Sequence, residues 1–468
     1  MNNAARLSTA VLAALVGAGA ASVPAYASVP APTGRYIVTL QPSLGIGSDS
    51  LDNAAAKLAG GEVEETLPGI TGFTANLSAR AAARLAANPT VAAVEPDRIV
   101  RVADVQAEAT QKSPVWNLDL IDQRTTTRSG TYTPLSAASS VHAYVIDTGI
   151  DWTHPDFGGR VTSGFSYNGG TAMDCNGHGT HVAGTIGGTR YGVAKGVQLV
   201  AVRVLDCDGE GFLSDVIKGV NWVTRYAKKP AVANMSLGGD ASAALDTAVR
   251  RSIASGVTYA VAAGNEGRDA CRVSPARVST ALTVGAVGGT FARPAFSNYG
   301  KCLDLFAPGV GVWSDAPGSK ITQMSGTSMA SPHVAGAAAM LLASAPTMKP
   351  AQVASRLLAY TTRNKVRNAG KDSPNRELFT IKPPAAVRIT TASLHTGTMG
   401  AAYTPVTLQR TPGLIGAWSA TGLPAGMVVT RGGVLSGTPT ESGSFTVTVR
   451  FTDFVPRTSS RSLTLTIN

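Results

Sequence analysis

Three islands of the sequence carry side chains that together can perform nucleophilic catalysis. The islands lie at residues 145–149, 176–184 and 326–336, and they contain Asp147, His178 and Ser328, respectively. A serine becomes a strong nucleophile when a neighbouring base takes its proton, and a histidine held by a carboxylate is such a base. Glycines around these groups let a substrate backbone approach closely. The islands therefore predict a triad that attacks a carbonyl carbon.

The order and surroundings of the three groups narrow the class of enzyme. The acid comes first, the histidine second and the serine last, which differs from the Ser-Asp-His order of the α/β-hydrolases. Residue 330 is alanine, so the G-x-S-x-G pattern of that fold is absent around Ser328. A long Ala/Met/Leu run follows Ser328. We therefore expect this serine at a helix N-terminus, where N–H groups and the helix dipole favour an oxyanion.

The elements that must position these groups lie between about residues 116 and 381. Short apolar runs predict buried strands at residues 142–146, 198–204, 231–235 and 258–263, and helical spacing appears at residues 215–226 and 245–254. Apolar strands that alternate with helices are typical of a parallel sheet covered on both faces. The sequence thus predicts one large α/β domain, with Asp147 at the carboxyl end of a strand, where ligands of such sheets bind.

Smaller units precede and follow this domain. The first is predicted to be α+β, with strands at residues 36–40, 72–77, 91–94 and 99–105, helices at residues 52–58 and 79–87, and Ser78 as an N-cap. A polar joint at residues 106–113 ends it. From residue 385 to residue 468, Thr/Val runs of period two alternate with Gly and Pro and predict a small β-sandwich.

The first 27 residues have the features of a secretory signal peptide. Arg6 precedes the apolar run 7–21, and small residues at positions 25 and 27 suit a cleavage site. The alternative is a membrane anchor, but this run is shorter than the ~18 residues that a spanning helix needs. We therefore expect a secreted, extracellular protein whose mature form has no membrane partner.

Composition excludes two broad classes of protein. The chain has 468 residues, of which 44% are hydrophobic, enough for a sizeable core and unlike a disordered chain. Its net charge is +11, but its longest basic runs are pairs such as Lys228-Lys229. Nucleic-acid binding requires lysines and arginines clustered in a stripe or arm. The excess charge therefore indicates a soluble basic surface, and we expect no nucleic-acid partner.

Four cysteines lie in the middle third of the chain: Cys175, Cys207, Cys271 and Cys302. An even number in an oxidising compartment favours disulfides, and four cysteines allow three pairings. Sequential pairing would close loops of 207 − 175 = 32 and 302 − 271 = 31 residues. Loop entropy makes each such bond worth roughly 3–4 kcal/mol. Metal ligation is the alternative, but no C-x-x-C spacing supports it.

The islands resemble the three signatures of the subtilisin-like serine proteases (subtilases), which share the Asp-His-Ser order. The resemblance extends to residues 234–239, 262–265 and 296–300, and residues 175–178 and 204–207 are similar to the proteinase K branch, especially its aqualysin-like secreted enzymes. It covers about residues 33–381, because the N-terminal unit resembles the family's inhibitory propeptide. The implied architecture is a subtilisin-like parallel sheet with helices on both faces, preceded by a small α+β propeptide.

The resemblance implies a serine endopeptidase that works through an acyl-enzyme. Ser328 would attack the peptide carbonyl, His178 would take and return the proton, Asp147 would hold His178, and Asn265 would join the Ser328 N–H as oxyanion donor. The main chain of two segments would pair with an extended peptide: Gly209, Glu210 and Gly211, and Ser236, Leu237 and Gly238. Ala262, Ala263 and Gly264 would line a P1 pocket for apolar or aromatic groups.

The resemblance also implies structural calcium, for which oxygen ligands are suited, and no catalytic cofactor. One site would use the Asp304 carboxylate with the carbonyls of Ser279 and Ala281. A second would use Asp119, Asp122 and Gln123, for which the alternative is an acidic pair at a helix start.

The implied division of the chain is a signal peptide at 1–27, an inhibitory and chaperone propeptide at 28–108, a peptidase domain at 109–383 and an Ig-like domain or C-terminal propeptide at 384–468. Self-cleavage is expected near Glu108/Ala109, and the active form is expected to be a monomer whose partners are peptide substrates and its own propeptide. The tail resembles immunoglobulin-like domains of bacterial secreted proteins. A catalytically silent subtilase with a binding tail is the alternative, which the intact triad and Asn265 disfavour.

Overall fold

The computed structural model describes residues 33–41, 63–102, 115–380, 387–411, 416–453 and 458–468. The signal-peptide segment, the predicted helix 52–58 and the Glu108/Ala109 junction lie outside the described residues. The described chain comprises an N-terminal α+β unit, a central α/β domain and a C-terminal β-sandwich. This confirms the fold class predicted from the sequence.

In the described residues of the N-terminal unit, an antiparallel sheet is covered by a helix. Its elements are β1 (Thr33–Leu40), β2 (Val63–Leu67), β3 (Gly72–Ser78), α1 (Ala79–Ala86) and β4 (Val91–Pro96), with the sheet order β2-β3-β1-β4. The predicted cap is present, because the Ser78 hydroxyl accepts a hydrogen bond from the N–H of Ala81 at 3.2 Å. Ala82 and Leu85 of the helix are buried in the core of this unit. Strand β2 was not predicted, because its two glutamates are exposed and interrupt the apolar pattern.

Nine strands form the sheet of the central domain. They are β6 (His142–Asp147), β7 (Val161–Ser166), β8 (Gln198–Arg203), β10 (Ala231–Met235), β12 (Thr258–Ala262), β14 (Leu282–Val287), β15 (Leu305–Pro308), β18 (Thr362–Arg363) and β19 (Arg376–Glu377). Their order is β18-β19-β15-β14-β12-β10-β6-β8-β7, and neighbours are parallel except for the pair β18–β19. The carboxyl ends of the long strands therefore meet along one edge of the sheet.

Helices cover both faces of this sheet. They are α2 (Trp116–Ile121), α3 (His178–Gly187), α4 (Leu213–Tyr226), α5 (Ala243–Ala254), α6 (Thr327–Ser344) and α7 (Pro350–Tyr360). Residues of α3 and α6 belong to one core, and residues of α4 and α5 to the other. Along β6, Ala143 and Val145 face the first core while Tyr144 and Ile146 face the second. This alternation follows from the two-residue period of a strand.

Three connecting features complete the central domain. Disulfides join Cys175 to Cys207 and Cys271 to Cys302, so the pairing is sequential. The hairpin β16 (Val312–Ala316) and β17 (Lys320–Met324) leads into helix α6. Among the residues that the structure describes, short 3-10 helices occur at Pro68–Ile70, Pro155–Phe157 and Ala270–Arg272, the first of them in the N-terminal unit.

A second, smaller sheet joins the N-terminal unit to the central domain. Its strands are β5 (Ile99–Val102), β9 (Glu210–Phe212), β11 (Leu237–Asp240) and β13 (Val273–Ser274), in the order β13-β11-β5-β9. Strand β5 pairs antiparallel with both β9 and β11. The last strand of the N-terminal unit therefore completes a sheet of the central domain rather than its own.

The C-terminal domain packs two three-stranded antiparallel sheets around one apolar core. Its strands are β20 (Tyr403–Thr407), β21 (Gly416–Thr421), β22 (Met427–Val429), β23 (Val434–Gly437), β24 (Gly443–Asp453) and β25 (Thr458–Ile467), with the orders β20-β23-β22 and β21-β24-β25. Trp418, Leu435 and Val449 are buried between the sheets. Within the described ranges, no helix is both long enough and apolar enough to cross a membrane.

Candidate active site

Asp147 and His178 form a buried contact at the edge of the central sheet. Asp147 is the last residue of β6, and His178 is the first residue of α3. The Nδ1 atom of His178 lies 2.8 Å from Oδ1 of Asp147, and the two side chains are 2% and 0% exposed. A hydrogen bond from Nδ1–H to the carboxylate leaves the lone pair on Nε2, so the geometry suits a general base.

A second acid holds these two elements together. Oδ1 of Asp174 accepts hydrogen bonds from the Thr148 hydroxyl and from the N–H groups of residues 176–177. Its Oδ2 accepts bonds from both the N–H and the hydroxyl of Thr180. One buried carboxylate thus joins the end of β6 to the first turn of α3. Asp174 was not predicted as a site residue, although it lies three residues before Gly177, the N-cap residue of α3.

Ser328 occupies the second position of helix α6 and is fully buried. Its hydroxyl donates a hydrogen bond to the carbonyl of Ser236 at 3.1 Å. Nε2 of His178 has no hydrogen-bond partner among the described residues, so the direct bond of a resting triad between serine and histidine is not formed. Such bonds are often loose without substrate, and a rotation about χ1 of Ser328 changes the partner of its hydroxyl.

A chain of buried hydrogen bonds fixes the backbone beside the nucleophile. The Ser331 hydroxyl donates to Oδ1 of Asn234 at 2.7 Å, and Nδ2 of Asn234 donates to the Ser236 hydroxyl at 2.8 Å. That hydroxyl donates in turn to the carbonyl of Ser328 at 2.8 Å. The chain connects the end of β10 to the first turn of α6. Asn234 and Ser331 were not predicted as site residues, although Asn234 lies in one of the conspicuous sequence segments.

Asn265 lies beside the start of helix α6, and its amide orientation is fixed. Its Oδ1 accepts hydrogen bonds from the N–H of Thr327 at 2.9 Å and from the Thr327 hydroxyl at 2.8 Å. The same hydroxyl accepts a bond from the N–H of Gly264 at 3.1 Å. Because the amide oxygen is engaged by the residue before Ser328, the NH2 group is the part of Asn265 suited to an oxyanion.

The predicted P1 wall follows strand β12 directly. Ala262 and Ala263 are buried, and Gly264 has a φ of +98°, which L side chains rarely adopt. Nδ2 of Asn298 donates to the Ala263 carbonyl at 2.8 Å and to Oε2 of Glu266 at 2.6 Å. A carboxylate therefore borders the wall that is predicted to take apolar or aromatic groups. Neither Asn298 nor Glu266 was predicted as a site residue.

The two segments predicted to bind substrate flank strand β5. In β11, Leu237 lies opposite Val102 and Gly238 lies opposite Arg101. In β9, Glu210 lies opposite Arg101 and Gly211 lies opposite residue 100. Gly209 precedes β9 with a φ of +80°, and Ser236 precedes β11. The N-terminal unit thus occupies the place where an extended peptide was predicted to bind.

Acids of the N-terminal unit bind the N-termini of two helices of the central domain. Oδ1 of Asp97 accepts a hydrogen bond from the N–H of Ser214 at 2.9 Å, and its Oδ2 accepts one from the Ser214 hydroxyl at 2.7 Å. Oε1 of Glu95 accepts a bond from the N–H of Ala244 at 2.8 Å. Burial raises the pKa of Asp97, an effect that the Ser214 bonds and the charge of Arg35 oppose. These contacts stabilise the N-termini of helices α4 and α5, because the first N–H groups of a helix lack intrahelical partners.

The first predicted calcium site is centred on a buried carboxylate. Asp304 immediately precedes β15, and burial raises its pKa to about 6 despite a hydrogen bond from Thr283 and the charge of Arg376. Ser279 and Ala281 belong to the turn before β14, the strand adjacent to β15. A divalent cation would stabilise the ionised form of the Asp304 carboxylate. Asp304, Ser279 and Ala281 are therefore suited to binding calcium. Among the described residues, no cluster of three His, Cys, Asp or Glu side chains was found.

The second predicted calcium site is a hydrogen-bonded loop. Asp119 lies in the first turn of α2, as the helix-start alternative predicts, whereas Asp122 follows the helix. Asp119 accepts hydrogen bonds from Gln123 and from the backbone of residues 129–130. Oδ2 of Asp122 accepts one from the N–H of Thr133 at 3.1 Å. These bonds organise the loop, and they turn the Gln123 amide NH2, rather than its oxygen, towards Asp119.

Two further histidines are buried near the site but face other groups. Nε2 of His181 lies 3.0 Å from the Val312 carbonyl, and burial lowers its pKa to about 3. Nε2 of His333 lies 2.8 Å from Nδ2 of Asn117, and burial lowers its pKa to about 4. Both are therefore neutral structural residues near pH 7, which leaves His178 as the histidine held by a carboxylate at this edge.

Comparisons with known proteins agree with this geometry. The model of the Subtilase family matches residues 140–378, the model of Peptidase inhibitor I9 matches residues 35–103, and an Ig-domain model matches residues 383–468. The three matches follow the three structural units in order.

Individual relatives belong to the same group of enzymes. An extracellular serine proteinase of Thermus sp. (strain Rt41A) is 57% identical over 302 residues, which are 64% of this chain and 72% of that protein. Alkaline serine exoprotease A of Vibrio alginolyticus is 48% identical over 67% of this chain and 59% of its own length. The crystal structure of a cold adapted subtilisin-like serine proteinase is 48% identical, with a TM-score of 0.56 over 57% of this chain and 98% of that one.

Proposed function

The chain belongs to the subtilase family of serine proteases, and from this premise we propose that Asp147, His178 and Ser328 are its catalytic triad and Asn265 its side-chain oxyanion donor. The observation that carries the proposal is the buried 2.8 Å contact between His178 and Asp147. It lies at the edge of the sheet where helix α6 presents Ser328 beside Asn265. The alternative of a silent subtilase would not require these four groups to remain together.

The mechanism follows from the positions of these groups. When a peptide enters, the Ser328 hydroxyl turns from the Ser236 carbonyl to His178, loses its proton to Nε2 and attacks the scissile carbonyl carbon. The Ser328 N–H and the Asn265 amide stabilise the negative oxygen of the tetrahedral intermediate. Nε2 then protonates the leaving amine, and an acyl-enzyme remains. Water, deprotonated by His178, releases the acid product, while Asp147 stabilises the imidazolium in both halves of the cycle.

Peptide substrates bind in this proposal as an added strand. The main chain of Gly209–Gly211 on one side and of Ser236–Gly238 on the other pairs with an extended peptide. The pairing of residues 210–211 and 237–238 with β5 supports this mode of binding. Backbone pairing accepts many sequences, which favours broad specificity. The apolar wall of Ala262, Ala263 and Gly264 favours an apolar or aromatic P1 group.

We assign residues 28–108 the role of an intramolecular inhibitor and folding chaperone. The I9 match over residues 35–103 and the position of β5 in the cleft support this role. Self-cleavage near Glu108/Ala109 would then release a peptidase domain at residues 109–383, followed by an Ig-like domain or C-terminal propeptide. The names of the Thermus and Vibrio relatives support secretion to the extracellular space, and we expect a monomer.

Calcium is proposed as a structural ligand at Asp304, with the carbonyls of Ser279 and Ala281. The pKa of Asp304, raised by burial to about 6, supports the site, because a bound cation would compensate the buried charge. Calcium at Asp119, Asp122 and Gln123 would require the Gln123 amide to turn its oxygen to the ion. Neither site takes part in the chemical step.

A serine-directed fluorophosphonate tests the catalytic proposal. We expect one adduct, on Ser328, in the mature protein, and none in Ser328→Ala. Ser344→Ala, at the other end of the same helix, is the matched control and should react like the parent. The Ser328→Ala precursor should also accumulate uncut in a host without other proteases. An unmodified Ser328 in correctly folded, calcium-loaded mature protein would favour the silent alternative.

Thermal unfolding tests the calcium proposal. At 100 times its dissociation constant, a ligand that binds only the folded state stabilises it by about 2.7 kcal/mol. Calcium should therefore raise the Tm of the parent, and by less in Asp304→Asn. Because the raised pKa makes the buried acid neutral below about pH 6, the calcium effect should be larger at pH 8 than at pH 5. Equal calcium shifts in parent and variant would exclude Asp304 as a ligand.

A further inference from the structure

Two acids stand at the edges of the peptide-binding cleft of a chain whose net charge is +11. They are Glu210 in β9 and Asp240 in β11, the two strands on either side of the cleft. We propose that these carboxylates make the protease select cationic side chains at two positions before the scissile bond, the third and the sixth. The proposal rests on the proposed catalytic site and concerns side-chain charge, which main-chain pairing does not determine.

The register of the small sheet defines the first of these positions. Strand β5 lies in the cleft with Arg101 directly opposite Glu210 in β9 and Gly238 in β11. Directly opposed residues of an antiparallel pair have Cβ atoms about 4.5–5.5 Å apart on the same face of the sheet. A substrate residue in the register of Arg101 therefore has its side chain next to that of Glu210. The opposite strand offers only the hydrogen of Gly238 there.

The distance of this position from the reacting bond also follows from the register. Ser236 lies two residues before Gly238, and its carbonyl accepts the hydrogen bond from the Ser328 hydroxyl at 3.1 Å. A substrate residue opposite Ser236 is therefore beside the nucleophile and carries the scissile carbonyl. In an antiparallel pair, the residue opposite Gly238 is then the third before the scissile bond.

The second position is marked by an ion pair within the described residues. Nη1 of Arg98 lies 3.6 Å from Oδ2 of Asp240, and the side chains are 43% and 63% exposed. Arg98 precedes Arg101 by three residues, so a substrate in the same register has its sixth residue there. Nη2 of Arg268 also lies 3.4 Å from Asp240 and offsets part of its charge. We therefore expect weaker selection at the sixth position than at the third.

The loop that carries Glu210 is held in place. Oδ1 of Asp206 accepts hydrogen bonds from the N–H groups of Asp208 at 3.0 Å and of Glu210 at 2.9 Å, and the Cys175–Cys207 disulfide anchors the same loop. A fixed backbone lowers the entropy that a charged side chain loses when it pairs with a substrate. The remaining acid of the loop, Asp208, is exposed and outside the register of the cleft, which makes it a suitable control.

Matched peptides test the proposal. The probes are fluorogenic peptides that are identical except for arginine or glutamine at the third or the sixth position before the scissile bond. Exposed opposite-charge pairs are worth about 0.2–1 kcal/mol, so kcat/KM should favour arginine about 1.5- to fivefold at the third position. Because such pairs are screened, the preference should shrink between 20 mM and 500 mM salt.

Charge variants assign the preference to individual acids. Glu210→Gln should bring the third-position ratio close to one, and Glu210→Lys should invert it. Asp240→Asn should change only the sixth-position ratio, and Asp208→Asn should change neither. A role of Glu210 in loop structure alone would lower kcat/KM for both peptides and leave their ratio unchanged. That result, or a ratio of one in the parent enzyme at low salt, overturns the proposal.

The two proposals fail in different ways. If the catalytic assignment is wrong, neither the arginine nor the glutamine peptide is cleaved through Ser328, and fluorophosphonate forms no adduct. If only the charge selection is wrong, both peptides are cleaved at equal rates. Should Glu210→Gln fail to fold, the ratio in the parent enzyme and its salt dependence still decide the question.

Discussion

Three groups of the proposed triad and oxyanion hole are each held by a neighbour that engages one of their polar atoms. Asp147 engages Nδ1 of His178, Thr327 engages the amide oxygen of Asn265, and the Ser236 hydroxyl engages the carbonyl of Ser328. The contacts of His178 and Asn265 direct the reactive atom of each side chain, whereas the Ser236 contact fixes the backbone of Ser328 and leaves its hydroxyl to rotate towards His178. Such preorganisation lowers the cost of reaching the transition state.

The first prediction concerns the oxyanion donor. Asn265→Ala should lower kcat about a hundred- to a thousandfold with little change in KM, the effect that loss of a side-chain donor has in subtilisin. The substrate contacts of β9 and β11 are unchanged, which is why binding should persist. Steady-state kinetics on one peptide measure the effect. Thr290→Ala, at an exposed position outside the cleft, should keep the parental rate. A fall in kcat/KM that comes entirely from KM would contradict the assignment.

The sequence could predict the reactive residues but not their supports. Asp147, His178 and Ser328 lie in short motifs of a known order, so their chemistry can be recognised from the sequence alone. Asp174 and Asn298 act through contacts with residues up to 35 positions away, as in the bond from Asn298 to the Ala263 carbonyl. Neither spacing nor residue type distinguishes such a buried polar residue from an ordinary loop residue. Their roles follow only from the tertiary structure.

At the scale of elements, the start of helix α3 is the joint on which the triad depends. Asp174 receives bonds from both the loop before the helix and its first turn, and the N–H of Gly179 donates to the Thr148 hydroxyl at 2.9 Å. The strand end that carries the acid and the helix start that carries the base are therefore one hydrogen-bonded unit. We expect the distance between Asp147 and His178 to depend on this hydrogen-bonded unit more than on the sheet.

The second prediction concerns this joint. Asp174→Ala leaves buried donors without an acceptor, a loss of about 1–3 kcal/mol each when unsatisfied, partly relieved by water. We expect a lower Tm and a lower kcat together, because the distance between His178 and Asp147 is no longer fixed. Asp174→Asn keeps one acceptor oxygen and should be milder in both respects. Thermal unfolding and peptide hydrolysis measure the two effects. A variant with parental kcat would show that the sheet alone sets the geometry.

The hairpin β16–β17, which precedes the nucleophile, also carries a buried aspartate. Asp315 in β16 is fully buried, and burial together with the neighbouring Asp156 raises its pKa to about 8, while Arg160 opposes the shift. Its Oδ1 lies 3.6 Å from Nδ1 of His154. Asp315 is therefore protonated at neutral pH. No sequence pattern indicates the pair of Asp156 and Asp315, because the two residues are 159 positions apart.

The third prediction is a loss of stability as the pH rises from about 4 to about 8. The folded-state pKa of Asp315, about 8, lies above the ordinary value of 3.8, so its contribution to the free energy of unfolding is lost progressively between these two pH values and falls no further above pH 8. Asp315→Asn should remain neutral and lose less stability than the parent between pH 4.5 and pH 8.5. Denaturant unfolding at the two pH values measures the difference. The exposed acid variant Asp372→Asn should behave like the parent, and identical losses in Asp315→Asn would refute the role of this pair.

At the scale of the whole molecule, the N-terminal unit contacts the central domain through a paired strand and through acids at two helix N-termini. Strand β5 fills the cleft, and Glu95 and Asp97 bind the N-termini of helices α5 and α4. The fold of each unit could be predicted from hydrophobic periodicity. The docking could not, because it depends on the register of β5 against two strands that are more than 100 residues away in the sequence.

The fourth prediction concerns release of the N-terminal unit. Asp97→Ala removes the acceptor for two hydrogen bonds from Ser214 in a buried contact, a loss of about 1–3 kcal/mol. After self-cleavage, the fragment should dissociate from the enzyme about 5- to 150-fold faster, so full activity should appear earlier. The time course of peptide hydrolysis after activation measures this rate. Arg84→Gln, exposed on α1, is the control. An unchanged time course would mean that β5 alone holds the fragment.

Once β5 leaves, strands β9 and β11 face each other across a gap of two strand spacings, roughly 9.5 Å. Whatever fills this gap must offer hydrogen-bonding groups on both sides of its backbone, and residues within helices or sheets have already committed theirs. A folded target is therefore cut only while the attacked segment is locally unfolded, at a rate proportional to the population of that open state. Each 1.4 kcal/mol that a target gains in local stability should slow its cleavage about tenfold. The rate at which the protease cleaves a folded protein thus reports the local conformational stability of that protein.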